Sequence, residues 1–145
     1  MNRFEFTFNY GFDLRPRNKI GTFSMGAFSY GWMMDEGVGL VVGYSKGIEP
    51  GSYLCEERPD GLDLMHNDGA KVTAKEAKDM AKMARLIVAN QERLHQYFDT
   101  LSEDQRKRYQ ENKNHLYKLP VRKDFIEKVK NFADWAEKSG GFKVC

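Results

Sequence analysis

The chain has 145 residues, a formal net charge of +2, 41% hydrophobic residues and 30% charged residues. That balance excludes a disordered tail, and the length suits one domain over 1–145 that buries its own core. No apolar run approaches the roughly 18 residues that cross a bilayer, and "MNRFEFTFNYGF" lacks the basic-then-apolar order of a signal peptide, so a soluble cytoplasmic protein without a membrane partner is expected.

The charge is unevenly spread. Residues 1 to 72 hold 7 Lys/Arg and 10 Asp/Glu, a net of −3, and residues 73 to 145 hold 16 and 11, a net of +5. Most of the later charges alternate in sign at helical spacing, as a solvated helix face does. Cys55 and Cys145 are the only cysteines, and in a chain without an export signal they read as free thiols.

In chain order, "FEFTFNYGF" comes first and puts Phe4, Phe6, Phe8, Tyr10 and Phe12 on one side of an extended segment, the signature of a strand with an aromatic face. "DLRPRNK" breaks that pattern at Pro16 and reads as a loop. The segment from Gly21 to Gly39 fits two descriptions. At period two, Phe28, Tyr30, Trp32 and Met34 share a face; as a helix, Ser24 caps it and Gly37 ends it, and the helix is the preferred reading. "VGLVVGY" is β-branched and bounded by glycines, which predicts a buried strand.

Turn chemistry dominates from Ser45 to Gly69, with room for short strands at "SYLCE" and "LDLM". Thr73 with Glu76 then forms a capping box. Ala77, Met80, Ala81, Ala84, Ile87, Val88, Gln91 and His95 follow at steps of three and four, which predicts a helix over about 74–97. Asn67, Asp68 and Gly69 are residues that tolerate turn conformations ahead of such a helix. Ser102 with Gln105 repeats the cap and opens a short polar helix, a solvent-facing connector. Phe125, Val129, Phe132, Ala133 and Ala136 define another helix that ends at Gly140 and Gly141, and in "GFKVC" the alternation of Phe142 and Val144 allows a last strand.

Two segments, "NDGAKVTAKEAKDMAKMA" and "FADWAEKSGGFKVC", together resemble a set of small bacterial and phage proteins of unknown function. The first has their Asn-Asp-Gly turn and Thr cap before an alanine-rich helix, and the other is similar to their aromatic helix ending in Gly-Gly-Phe. The resemblance implies a fold module and a prokaryotic or viral source, and it implies no activity.

Catalytic signatures are missing. His66, His95 and His115 are far apart in sequence, and none pairs at i+4 with another or with a cysteine, so neither a metal site nor a cofactor is expected. The best local cluster is His66 with Asp63 and Asp68, a candidate hydrolytic or metal centre set against a plain turn. No Ser or Cys sits in a nucleophile elbow. A helix start presents free amides and a positive dipole end to an anion, which makes His66, Asn67, Asp68, Lys71 and Thr73 a candidate nucleotide or other anion site.

Basic stretches at Arg15, Arg17 and Lys19 and at Arg106 to Arg108, with Tyr109 available to stack, invite a nucleic-acid reading. The alternating signs around the second stretch favour a solvated face, so nucleic acid is not expected as the partner. Met25, Phe28, Tyr30, Trp32, Met33 and Met34 form the densest adaptable apolar set, and the five from Phe28 onward are the candidate protein-binding surface, with core packing as the competing description.

The expectation is an α+β fold, with a small, mostly antiparallel sheet from the N-terminal half, extended by the C-terminal tail and covered by two long helices of the C-terminal half. The first functional expectation is a non-catalytic binding protein of phage or bacterial type, an inhibitor acting through a protein surface. The second is a small-molecule protein that holds a nucleotide or similar anion at Thr73.

Overall fold

The structure, a computed structural model, describes residues 11–42, 44–46, 53–55, 62, 64–111 and 120–145. Four strands, β1 (Gly11–Pro16), β2 (Phe23–Gly26), β5 (Ala70–Val72) and β6 (Phe142–Val144), form one sheet in the order β2-β1-β6-β5 with every pairing antiparallel. A separate antiparallel ladder joins β3 (Tyr44–Lys46) to β4 (Tyr53–Cys55). Helix α1 (Ala27–Met33) follows β2, α2 (Ala74–Asp99) follows β5, and α3 (Glu103–Glu111) and α4 (Lys123–Lys138) complete the chain order before β6. This is the α+β arrangement expected, with long helices α2 and α4 packed on a four-stranded sheet.

Strand alternation decides which side of the sheet is dry. Phe12, Leu14, Met25, Ala70, Val72, Phe142 and Val144 are buried, while Arg15, Ser24, Lys71 and Lys143 between them are exposed. The first strand is observed from Gly11 onward; Phe4, Phe6, Phe8 and Tyr10 lie outside the described residues. At its other end the loop expected from Asp13 to Lys19 begins later than Pro16, because Leu14, Arg15 and Pro16 pair with Val144, Lys143 and Phe142. Asp13 and Arg17 donate their N–H groups toward β6, so by alternation the nitrogen of Pro16 faces the opposite side, where β2 begins only opposite Leu14. No ladder bond is lost at a proline placed there.

The glycine-broken segment uses both of its descriptions in succession. Phe23–Gly26 is strand and Ala27–Met33 is helix. Ser24 is not the cap; its hydroxyl donates to Asp13 Oδ1 at 2.6 Å, and the residue at the cap is Gly26. A widened turn, Met34–Val38, ends the helix where Gly37 adopts φ 144°. "VGLVVGY" is not a buried strand either. Leu40–Val42 is a tight 3-10 turn that buries Val42 and leaves Leu40 and Val41 exposed, and strand geometry starts only at Tyr44. Of the two short strands expected in the turn-rich part, Tyr53–Cys55 is present, whereas Leu64 and Met65 form a turn.

Helix α2 begins as its sequence dictates. The Thr73 hydroxyl accepts the Glu76 N–H at 3.1 Å and Glu76 Oε1 accepts the Thr73 N–H at 3.0 Å. Its predicted stripe from Ala77 to Gln91 is buried in the core, and the helix packs on α4 and on the turns Met34–Val38 and Leu40–Val42. At its far end Gln91 and His95, one turn apart, hold the backbone of Val121. Gln91 Oε1 accepts the Val121 N–H at 2.9 Å, and His95 Nε2, 2.6 Å from the Val121 carbonyl, carries the proton and donates it. Two side chains thus do for Val121 what a neighbouring strand would do.

Helix α3 opens on a second capping box, Ser102 with Gln105, and Glu103 to Arg108 are exposed. On α4, Phe132 and Trp135 pack against Phe142 and Phe23. Arg85 of α2 bridges Asp134 at 3.2 Å and Glu137 at 2.9 Å; those hydrogen bonds, to Glu137 first, raise its pKa. Gly140 and Gly141, at φ 71° and 98°, then turn the chain into β6, which lies between β1 and β5 inside the sheet.

Candidate functional site

The open face of the sheet carries the most distinctive charge arrangement in the fold. Register places Arg15 of β1 directly opposite Lys143 of β6, and Lys143 directly opposite Lys71 of β5. Three cations on three adjacent strands therefore stand in one row, with Cα steps of about 5.5 and 4.5 Å. Like charges placed directly opposite in a sheet are destabilising. Among the described residues, no hydrogen bond or ion pair engages the side chain of Arg15 or Lys143. The neighbouring pair on the same face is Asp13 with Ser24, and the Asp13 backbone exchanges both hydrogen bonds with Cys145.

Beside the row lies the turn that sequence singled out. His66, Asn67 and Asp68 are exposed, and Asn67 Nδ2 donates to the Gly11 carbonyl at 3.0 Å, which ties the turn to the start of β1. Gly69 adopts φ 97° and donates its N–H to the Val144 carbonyl at 2.8 Å, although Ala70 is the residue paired with Val144. Two residues facing one, with glycine first in a left-handed conformation, is a G1-type bulge, so the turn glycine has a backbone reason. A methyl group at Gly69 would sit 3.8 Å from Lys143 Cδ, which places the lysine stem against the turn. From below, the buried Tyr30 hydroxyl donates to the Leu64 carbonyl at 2.8 Å and fixes the turn to the core.

The five residues proposed as an anion site thus have separate placements. Lys71 stands in the cation row, His66, Asn67 and Asp68 lie in the adjoining turn, and Thr73 is engaged with Glu76 in the capping box. The Glu76 carboxylate already sits at the cap. Gly141 crowds the same helix end, since a Cβ on it would approach Ala74 N to 3.0 Å. An anion approaching there meets a carboxylate first. The hydrolytic cluster includes Asp63, which lies outside the described residues.

The apolar candidate surface needs correction. Tyr30, Trp32, Met33 and Met34 are buried in the core, and only Phe28 is exposed, at 63%. Tyr30 stacks on Phe12 with ring centroids 4.0 Å apart, and Trp32 packs near Phe125. With β2 feeding straight into a two-turn helix, this aromatic and methionine set faces the sheet and α4, and its adaptable side chains fill the core.

Sequence reasoning passed over Lys143 and its pairing with Arg15. The alternation in "GFKVC" already turns Lys143 outward, but only register reveals which charges stand beside it. At the start of α4, Arg122 hydrogen-bonds Asp124 at 2.7 and 2.9 Å and holds its carboxyl below the usual carboxylate range. Among the described residues no three His, Cys, Asp or Glu side chains converge as a metal-binding group, and no helix is long and apolar enough to cross a membrane. Comparison with protein-family models, with curated proteins and with solved structures yields no match to this chain.

Proposed function

We propose that the chain is a non-catalytic binding protein that receives an anionic partner on the open face of its sheet through Arg15, Lys143 and Lys71. The observation that carries this reading is the row itself. Arg15 and Lys143 stand directly opposite each other at a cost to stability, with no hydrogen bond or ion pair to either side chain among the described residues, and Lys71 continues the row. A partner bearing negative charge converts that repulsion into attraction, and electrostatic complementarity of this kind governs specificity and association rate. In a phage or bacterial setting, such a protein inhibits by covering the acidic surface of its target.

An anion held at the Thr73 helix start would share Lys71 with this site; the sheet face replaces that location. The test compares two double charge reversals of equal net effect, Arg15→Glu with Lys143→Glu and Arg106→Glu with Arg108→Glu. Binding of poly-L-glutamate and of inorganic triphosphate is followed by calorimetry at low and high salt. Binding of at least one probe by the unaltered protein, weakened by salt and lost only in the sheet variant, supports the reading. Binding of neither probe, or equal loss in both variants, refutes it.

A further inference from the structure

Aspartate precedes glycine at Asp60–Gly61 and at Asp68–Gly69, and the second junction lies among the described residues. Glycine has no side chain to shield its nitrogen, so an Asp-Gly junction is open to cyclisation. The glycine nitrogen attacks the aspartyl Cγ, an N–C bond forms, and the amide proton leaves with the carboxyl hydroxyl as water. Water then opens the cyclic imide. Attack at Cγ restores aspartate, and attack at the main-chain carbonyl carbon leaves isoaspartate, whose chain runs through the former side chain. One water leaves and one returns, so no other reactant is needed.

We propose that Asp68–Gly69 is a latent isoaspartate site that strand β6 keeps shut. Asp68 is exposed, so solvent reaches its carboxyl group. The nucleophile is held instead: the Gly69 N–H donates to the Val144 carbonyl at 2.8 Å, the bond that builds the bulge. Cyclisation requires that nitrogen to give up its proton, and a hydrogen-bonded amide releases its proton only when the bond opens. The opening that sets the exchange rate of the Gly69 amide therefore sets the rate of reaction. Asn67 Nδ2 on the Gly11 carbonyl and the Tyr30 hydroxyl on the Leu64 carbonyl oppose that opening from either side of the junction. Once formed, isoaspartate adds one carbon to the main chain ahead of Gly69. The added length moves the nitrogen off Val144, the bulge is not remade, and β5 loses its register with β6.

The full chain is incubated in mildly acidic buffer with and without guanidinium chloride sufficient to unfold it, and isoaspartate at position 68 is read by electron-transfer mass spectrometry of its peptides. The folded chain is expected to isomerise there at least about tenfold more slowly than the unfolded one. Val144→Ala, which loosens β6 while leaving the Asp-Gly junction intact, is expected to speed isomerisation at position 68 and exchange of the Gly69 amide by the same factor. Circular dichroism checks that this variant is folded; if it is not, the same proportionality is read on the unaltered protein across denaturant concentrations below its unfolding transition. Equal rates in the folded and unfolded chain, isomerisation unmoved while Gly69 exchange accelerates, or no isoaspartate at position 68 in the unfolded chain each overturn the proposal.

Discussion

Replacing Lys143 with glutamine is expected to make the protein more stable. Lys143 faces Arg15 on one side and Lys71 on the other. On side chains of this length, neighbouring charges about 7 Å apart repel by roughly 0.6 kcal/mol at the dielectric constant of water. Removing the central cation relieves two such pairs, about 1.2 kcal/mol before screening, and a Debye length of about 10 Å at 0.1 M salt halves that gain. Arg15→Gln relieves one pair and is expected to yield about half as much. Urea unfolding measures the effect. At a slope of about 2 kcal/mol/M the midpoint of Lys143→Gln rises by roughly 0.3 to 0.6 M, and the rise shrinks toward zero near 1 M salt, where the Debye length is about 3 Å. A midpoint below that of the unaltered protein, or a gain indifferent to salt, refutes the repulsion and removes the reason to read the row as a binding surface.

Other substitutions probe how the sheet and helices are held. Gln91→Ala removes the acceptor of the Val121 N–H and a buried stem, with an expected cost of about 2–4 kcal/mol in urea unfolding and faster amide exchange at Val121. Gly141→Ala combines φ 98° with a Cβ 2.7 Å from the Val72 carbonyl, so a loss of about 2–4 kcal/mol is expected, whereas Gly21→Ala, where nothing lies within 4 Å, suffers only the backbone penalty. Asp124 has its folded pKa depressed, chiefly by the Arg122 hydrogen bond. Its small contribution is therefore complete above its unfolded value of about 4 and disappears as pH falls through the lower folded value. Asp124→Asn is expected to flatten that acid limb of a stability-against-pH curve, and an unchanged limb contradicts the pairing.

Local chemistry was readable wherever one residue type has one dominant use. The Thr73 to Glu76 box, the stripe from Ala77 to Gln91 and the glycines after Lys138 all appear at the positions the sequence assigns. Reading failed where tertiary pairing chooses between equals. Phe23 to Met34 has alternation and helical spacing together, and only the partner strand opposite Phe23 to Gly26 decides where one yields to the other. The valines of "VGLVVGY" suit a strand, yet only Val38 and Val42 are buried, four positions apart on a coiled segment. The candidate site was half legible for the same reason. Lys71 was identified from its neighbours in sequence, whereas Lys143 becomes its neighbour only through strand register.

The position of β6 has a consequence during synthesis. Asn18, just after β1, hydrogen-bonds the Lys138 carbonyl 120 positions away, and Phe142 to Val144 then slot between two strands made long before. Until those residues clear the ribosome, the nascent chain holds β1 and β5 with no shared partner, each showing a bare backbone edge and an uncovered apolar side. That interval is when chaperones and proteases have their best access, and a message cut short before Phe142 yields a chain unable to close its sheet.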